Sequence, residues 1–122
     1  MAEKNVTEKA ELDQAIEEAV ELDENSGTYV HLFRRPFKWE GKEYDELAFN
    51  FESLTGRDLV AIEREMAMSG QVVMSPAMSG EFLIRMAARA CGLGIDVIQA
   101  MPISDVATIR AKARTFLLRA EL

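Results

Sequence analysis

Residues 29–52 read YVHLFRRPFKWEGKEYDELAFNFE, and this stretch decides the fold. Its first half, 29–39, is aromatic and rich in strand formers. Val30 and Leu32 share the apolar face of an extended strand, which turns His31, the single histidine of the chain, toward solvent. Arg35-Pro36 interrupts the strand, because proline has no N–H to give to a ladder; the strand therefore lies at an edge or carries a bulge. Glu40-Gly41-Lys42 is a polar turn. The second half then alternates, with Leu47, Phe49 and Phe51 pointing one way and Ala48, Asn50 and Glu52 the other. The two halves make a β-hairpin or small antiparallel sheet with one apolar face. A lone hairpin is marginal in water, so helices must cover that face.

The residues downstream supply them. Thr55 and Asp58 form a capping-box start for a helix over 56–68, with Leu59, Ile62 and Met66 as its stripe. Residues 69–80 (SGQVVMSPAMSG) form a loop punctuated by Gly70, Pro76 and Gly80. Ser79 caps a second helix over 80–91 that buries Leu83, Met86, Ala87 and Ala90 and stops at Gly92. Ile95 to Met101 is a short helix or turn closed by Pro102. Ser104 caps the last helix, 105–118, whose stripe is Val106, Ile109, Ala113, Phe116 and Leu117. The expected class is α+β: an N-terminal hairpin or small antiparallel sheet packed on three to four helices.

The chain has 122 residues and a net charge of −7, all of it upstream of the hairpin. Residues 1–28 carry nine acids and two bases, whereas 29–122 carry twelve of each. The expected organisation is therefore an acidic N-terminal arm, 1–28, followed by a single α+β domain, 29–122. Within the arm, 8–23 is rich in helix formers, with a thin apolar stripe of Leu12, Ile16, Ala19 and Val20, and Asn25-Ser26-Gly27 reads as a stop and hinge. An acidic arm on a neutral body argues against a nucleic-acid backbone as the main partner. It fits either a solvating tail or a segment that meets a basic partner. The bases Arg110, Lys112, Arg114 and Arg119 read as a solvated helix face, since no aromatic residues interleave in the manner of a nucleic-acid surface. No apolar run approaches the ~20 residues of a membrane helix. The N-terminus lacks the basic-then-apolar order of a signal peptide, so a cytoplasmic setting is expected.

Local chemistry offers little for catalysis. His31 has no orienting acid or nucleophile beside it in the sequence. Cys91, the single cysteine, ends a helix and reads as a small buried hydrophobe; it can form no internal disulfide or metal cluster. Gly92-Leu93-Gly94 lacks the spacing of a phosphate-binding loop and reads as a cap and turn. Asp45, Glu46 and Glu52 are solvated acids on the hairpin. No catalytic, cofactor or metal residue emerges. The methionines are more telling: Met66, Met68, Met74, Met78 and Met86 cluster around the loop, with Val72 and Val73 between them. Flexible thioethers suit surfaces that accept varied apolar partners, while Val72-Val73-Met74 could also tuck into the core as a short strand.

The order of these elements resembles a known family. An extended segment ending in Arg35-Pro36-Phe37 leads into EGKEYDEL. SLTGRDL opens a helix, MAARACGLG closes the next, IDVIQAMP follows, and SDVATIRAKARTFL ends the pattern. Over about 29–118 this resembles the tail assembly chaperones of long-tailed bacteriophages and prophages. The resemblance implies a non-enzymatic protein of the bacterial cytoplasm, not kept in the finished virion. Such a protein would bind the tape measure protein, keep it soluble and help the tail tube assemble. It further implies the tail tube protein as a partner through a longer frameshifted form, possible self-association, and neither nucleic acid nor membrane as a target. For an apolar helical client the best-suited residues are Met68, Val72, Val73, Met74 and Met78. The competing reading is a small acidic adaptor or neutralising protein that binds a basic partner through its N-terminal helix.

Overall fold

The structure, a computed structural model, describes residues 27–120. The expected helix over 8–23 and most of the acidic arm lie outside the described residues. The architecture is α+β: a two-stranded antiparallel sheet followed by four helices. Strands β1 (Thr28–Trp39) and β2 (Lys42–Asn50) are joined by Glu40 and Gly41. Both linking residues take positive φ, 48° and 79°, the primed turn whose twist matches that of paired strands.

The interruption expected at Arg35-Pro36 is a bulge. Between the pairs Leu32↔Glu46 and Phe37↔Tyr44, β1 advances five residues while β2 advances two. The extra residues, Arg34, Arg35 and Pro36, are exposed. The bulge also shifts the parity of β2, so that Tyr44 packs on the core from an even position and Leu47 and Phe49 from odd ones.

The alternation of β1 runs opposite to the sequence reading. Tyr29, His31 and Phe33 point inward, while Val30 and Leu32 are only half-buried. Both faces of 29–33 carry apolar side chains. The face holding Tyr29 and Phe33 has the larger area to bury, and aromatic rings dominate such a choice. His31 shares their parity and is carried inside, correcting its expected solvent-facing place.

The helices are α1 (Gly56–Met68), α2 (Gly80–Cys91), α3 (Ile95–Ala100) and α4 (Ile103–Ala120). Thr55 and Asp58 form the expected capping box on α1, with the Thr55 N–H donating to Asp58 at 2.8 Å. In α1 only Ile62 and Met66 are buried; Leu59, expected in the same stripe, is 41% exposed. Ser79 caps α2 by accepting from the Phe82 N–H. The helix ends at Gly92, whose φ of 75° lets Leu93 N–H reach back to the Ala88 carbonyl at 3.1 Å. Ser104 does not cap α4. The helix starts one residue before it, and the Pro102 carbonyl accepts from Asp105 and Val106 N–H groups. Pro102, with its φ already set near the helical value, opens the turn instead.

Helix α2 is the centre of the packing, meeting α1, α3, α4 and β2, while α4 also meets β1. Phe82, Leu83 and Ala87 of α2 are almost wholly buried, and Ala90 is half-buried. A run of rings ties the hairpin to α4: Tyr29 stacks on Phe49, Phe49 on Phe51, and Phe51 on Phe116 at 5.5 Å between centroids. Each fully buried ring contributes about 1.5–3 kcal/mol by leaving water, so this row supplies much of the hold between sheet and helices.

Candidate partner surface

The loop between α1 and α2 is pinned at both ends yet presents apolar side chains to water. At its start the chain closes a Schellman motif: Gly70 N–H donates to the Ala67 carbonyl and Gln71 N–H to the Met66 carbonyl. Val73 packs against the core. At its end Ala77 is buried, and Arg114 Nε of α4 donates to the Ala77 carbonyl at 2.9 Å. Between these fixed points Val72 is 83% and Met74 91% exposed, and to either side Met68, the last residue of α1, is 85% and Met78 77% exposed.

The tucked strand considered for Val72-Val73-Met74 is absent; of the three only Val73 turns inward. The structure brings Val72 and Val73 together with α1 in an open groove, where Val60 and Ala67 join them beside Glu63 and Arg64. Met68 follows Ala67 directly, while Met74 and Met78 continue the exposed apolar surface along the loop toward α2. Val60 and Ala67 were missed by the sequence reading. Their signal was present, since they are seven residues apart and share the α1 face opposite Ile62 and Met66. Large apolar side chains scattered singly over a surface are ordinary; three of them on a pinned loop, next to Met68 at the end of α1 and a partly apolar groove, make this the candidate partner surface.

Charge around this region is ordered. Arg85 of α2 bridges Glu81 at 2.8 Å and Glu65 at 3.3 Å, and Arg89 bridges Asp58 at 2.8 Å. The Thr55 N–H and then the Arg89 guanidinium hold the Asp58 carboxyl below the usual carboxylate range; Arg85 does the same for Glu81. The Arg85–Glu65 and Arg89–Asp58 pairs clamp α1 onto α2, and so fix the start of the loop.

The other sequence candidates are structural. Burial pushes the Cys91 thiol up, away from thiolate chemistry. Asp45, Glu46 and Glu52 are exposed. Among the described residues no group of three His, Cys, Asp or Glu side chains could hold a metal ion. No helix among them is long and apolar enough to cross a membrane.

One polar cluster went unseen in the sequence. His31, 4% exposed, bonds through Nε2 to Asp105 Oδ1 at 2.8 Å and through Nδ1 to the Tyr29 hydroxyl at 2.8 Å. Both ring nitrogens are engaged, so the imidazole joins β1 to the first turn of α4. The 74 residues separating His31 from Asp105 hid the pair from any local pattern.

The chain belongs to the phage tail assembly chaperone family: the family described as phage tail assembly chaperone proteins, E, or 41 or 14, matches residues 30–118. No curated protein and no solved structure matched the chain.

Proposed function

We propose that this protein is a non-enzymatic chaperone for the tape measure protein of a phage or prophage, keeping that client soluble while the tail tube assembles around it. The observation that carries this reading is the exposed surface of Met68, at the end of α1, and of Val72, Met74 and Met78 on a loop fixed at both ends. A long amphipathic helical client presents many similar apolar faces. Unbranched thioethers adapt to each of them, and many weakly bound copies give avidity along its length. The groove containing Val60, Ala67, Val72 and Val73 gives such a helix a place to lie. On this reading residues 29–122 form the chaperone domain and act in the host cytoplasm. The tail tube protein is a second partner through a longer form of the chain, and the chaperone leaves before the virion is complete.

The test is co-expression with the tape measure protein encoded beside it, followed by affinity capture and light scattering. Soluble complexes with many copies of this chain per client support the proposal. A client that stays insoluble while this protein elutes alone refutes it. In that case the acidic-adaptor reading is tested next, by asking whether deletion of 1–28 abolishes capture of a basic partner.

A further inference from the structure

The candidate partner surface is built from side chains that peroxides attack. Among the described residues six methionines divide into two sets. Met66, Met86 and Met101 belong to the core, each 6% exposed or less. Met68, Met74 and Met78 are each at least 77% exposed, and all three belong to the partner surface. We propose, on the reading of that surface as the client site, that Met68, Met74 and Met78 are a reversible modification site at which hydrogen peroxide turns the surface from apolar to polar.

The reaction needs nothing from the protein but access. The sulfur lone pair attacks one peroxide oxygen and forms an S–O bond while the O–O bond breaks. The departing hydroxide takes the proton of the S–OH cation, so one thioether and one peroxide give one sulfoxide and one water. The sulfur loses two electrons and the peroxide gains them. Exposure therefore sets which methionines react, and the core sulfurs wait for an opening of the fold. Cys91, the other sulfur, is half-buried, and its thiol is pushed up by burial, away from the thiolate that peroxide prefers.

The fold does not depend on the three exposed thioethers. The start of the loop is held by backbone bonds from Gly70 to Ala67 and from Gln71 to Met66. Val73 packs on the core, and the Arg114 guanidinium holds the Ala77 carbonyl. Met78 takes part only through its backbone N–H, which donates to the Ser75 carbonyl at 3.0 Å. Oxidation thus changes the chemistry of the surface and leaves its scaffold in place. A sulfoxide is polar and a strong acceptor. Pressed under an apolar client face it finds no donor, so each buried sulfoxide weakens binding at least about fivefold. Many copies on one client compound the loss, because avidity multiplies weak sites. Methionine sulfoxide reductases, one for each sulfoxide epimer, restore the thioethers.

The experiment treats the full chain, carrying Cys91→Ala, with hydrogen peroxide. Peptide mass spectrometry follows each methionine, urea unfolding follows the fold, and retention on a hydrophobic column follows the surface. Sulfoxide should form at Met68, Met74 and Met78 at least about tenfold faster than at Met66, Met86 and Met101. The urea midpoint should hold, retention and client capture should fall, and the reductase pair should restore both. A triple variant, Met68→Leu with Met74→Leu and Met78→Leu, keeps an apolar surface without its sulfurs and should keep its retention in peroxide. Equal rates at the two sets of methionines overturn the proposal. So does a urea midpoint that falls as the three sites oxidise, a triple variant that loses retention as the parent does, or capture that full oxidation of the three leaves unchanged. A chain that captures no client before treatment refutes the chaperone reading instead, and the rates and the retention then decide the modification by themselves.

Discussion

Replacing Asp105 by alanine should cost about 2–3 kcal/mol, because it strips a buried imidazole of a charged acceptor. The arrangement that satisfies all three groups has Tyr29 O–H donating to His31 Nδ1 and His31 Nε2–H donating to the Asp105 carboxylate, each over 2.8 Å. In Asp105→Ala the Nε2–H has no acceptor at a site only 4% exposed. For a domain of this size the loss lowers Tm by roughly 10–20 °C. Asp105→Asn keeps an acceptor oxygen and should lose only about 1 kcal/mol. Burial lowers the His31 pKa from its ordinary 6.5, against the opposing hydrogen bond and charge of Asp105. The folded state therefore resists a proton that the unfolded state accepts. This contribution to stability is complete above about pH 6.5 and is lost as the pH falls toward the lower folded value. Without Asp105 both influences that favour the proton vanish, so stability falls more steeply with acid, up to a limit of about 1.4 kcal/mol per pH unit. Tyr29, Asp105 and Arg34 are the titratable and charged side chains that share this cleft with His31. The assay is urea and thermal unfolding by circular dichroism between about pH 5 and 8. An Asp105→Ala variant within about 0.5 kcal/mol of wild type, or no steeper in acid, refutes the reasoning.

Three further outcomes follow from local geometry. Met74→Asp, at a site 91% exposed, should leave stability within about 0.5 kcal/mol and weaken recovery of the tape measure client; a sharp fall in Tm would make Met74 a core residue instead. Gly92→Ala forces an L side chain to φ 75° and should cost about 1–2 kcal/mol in urea unfolding, and an unchanged midpoint would contradict the cap assignment. Thr55→Ala removes half of the α1 capping box and should cost about 1 kcal/mol, readable as a lower urea midpoint with an unchanged slope.

The elements most legible in the sequence were those fixed by chemistry within a few residues. Thr55 with Asp58, Ser79 before Phe82, and Gly92 after Cys91 each close a bond within five positions, so helix ends could be read directly. Arg35-Pro36 announced an edge position or a bulge because the missing N–H is a covalent fact, and the register shift shows the bulge. The face of β1 was not legible, since 29–33 is apolar on both sides and the choice depends on what α2 and α4 offer across the chain. That reversal, together with the 74 residues between His31 and Asp105, hid the Tyr29–His31–Asp105 cluster. The loop was half legible: its methionines flagged an adaptable surface, but only the structure shows Val73 turned inward and the others turned out.

The two features on either side of that boundary should respond differently to acid. The methionine surface is already exposed in the folded chain, so the binding proposed there requires no prior opening of the fold. The loop is fixed through α1, Val73 and the Arg114–Ala77 bond, none of which involves His31. Protonation of His31 would instead loosen the junction of β1 with the first turn of α4, the opposite end of that helix from Phe116. As the pH falls below about 6.5 and the junction loses stability while the fold persists, capture of the tape measure client should stay at its neutral-pH level. A loss of capture that tracks His31 protonation, and that His31→Phe abolishes, would show that the surface depends on the β1–α4 junction after all and would move the search for the client site from the loop to the hairpin.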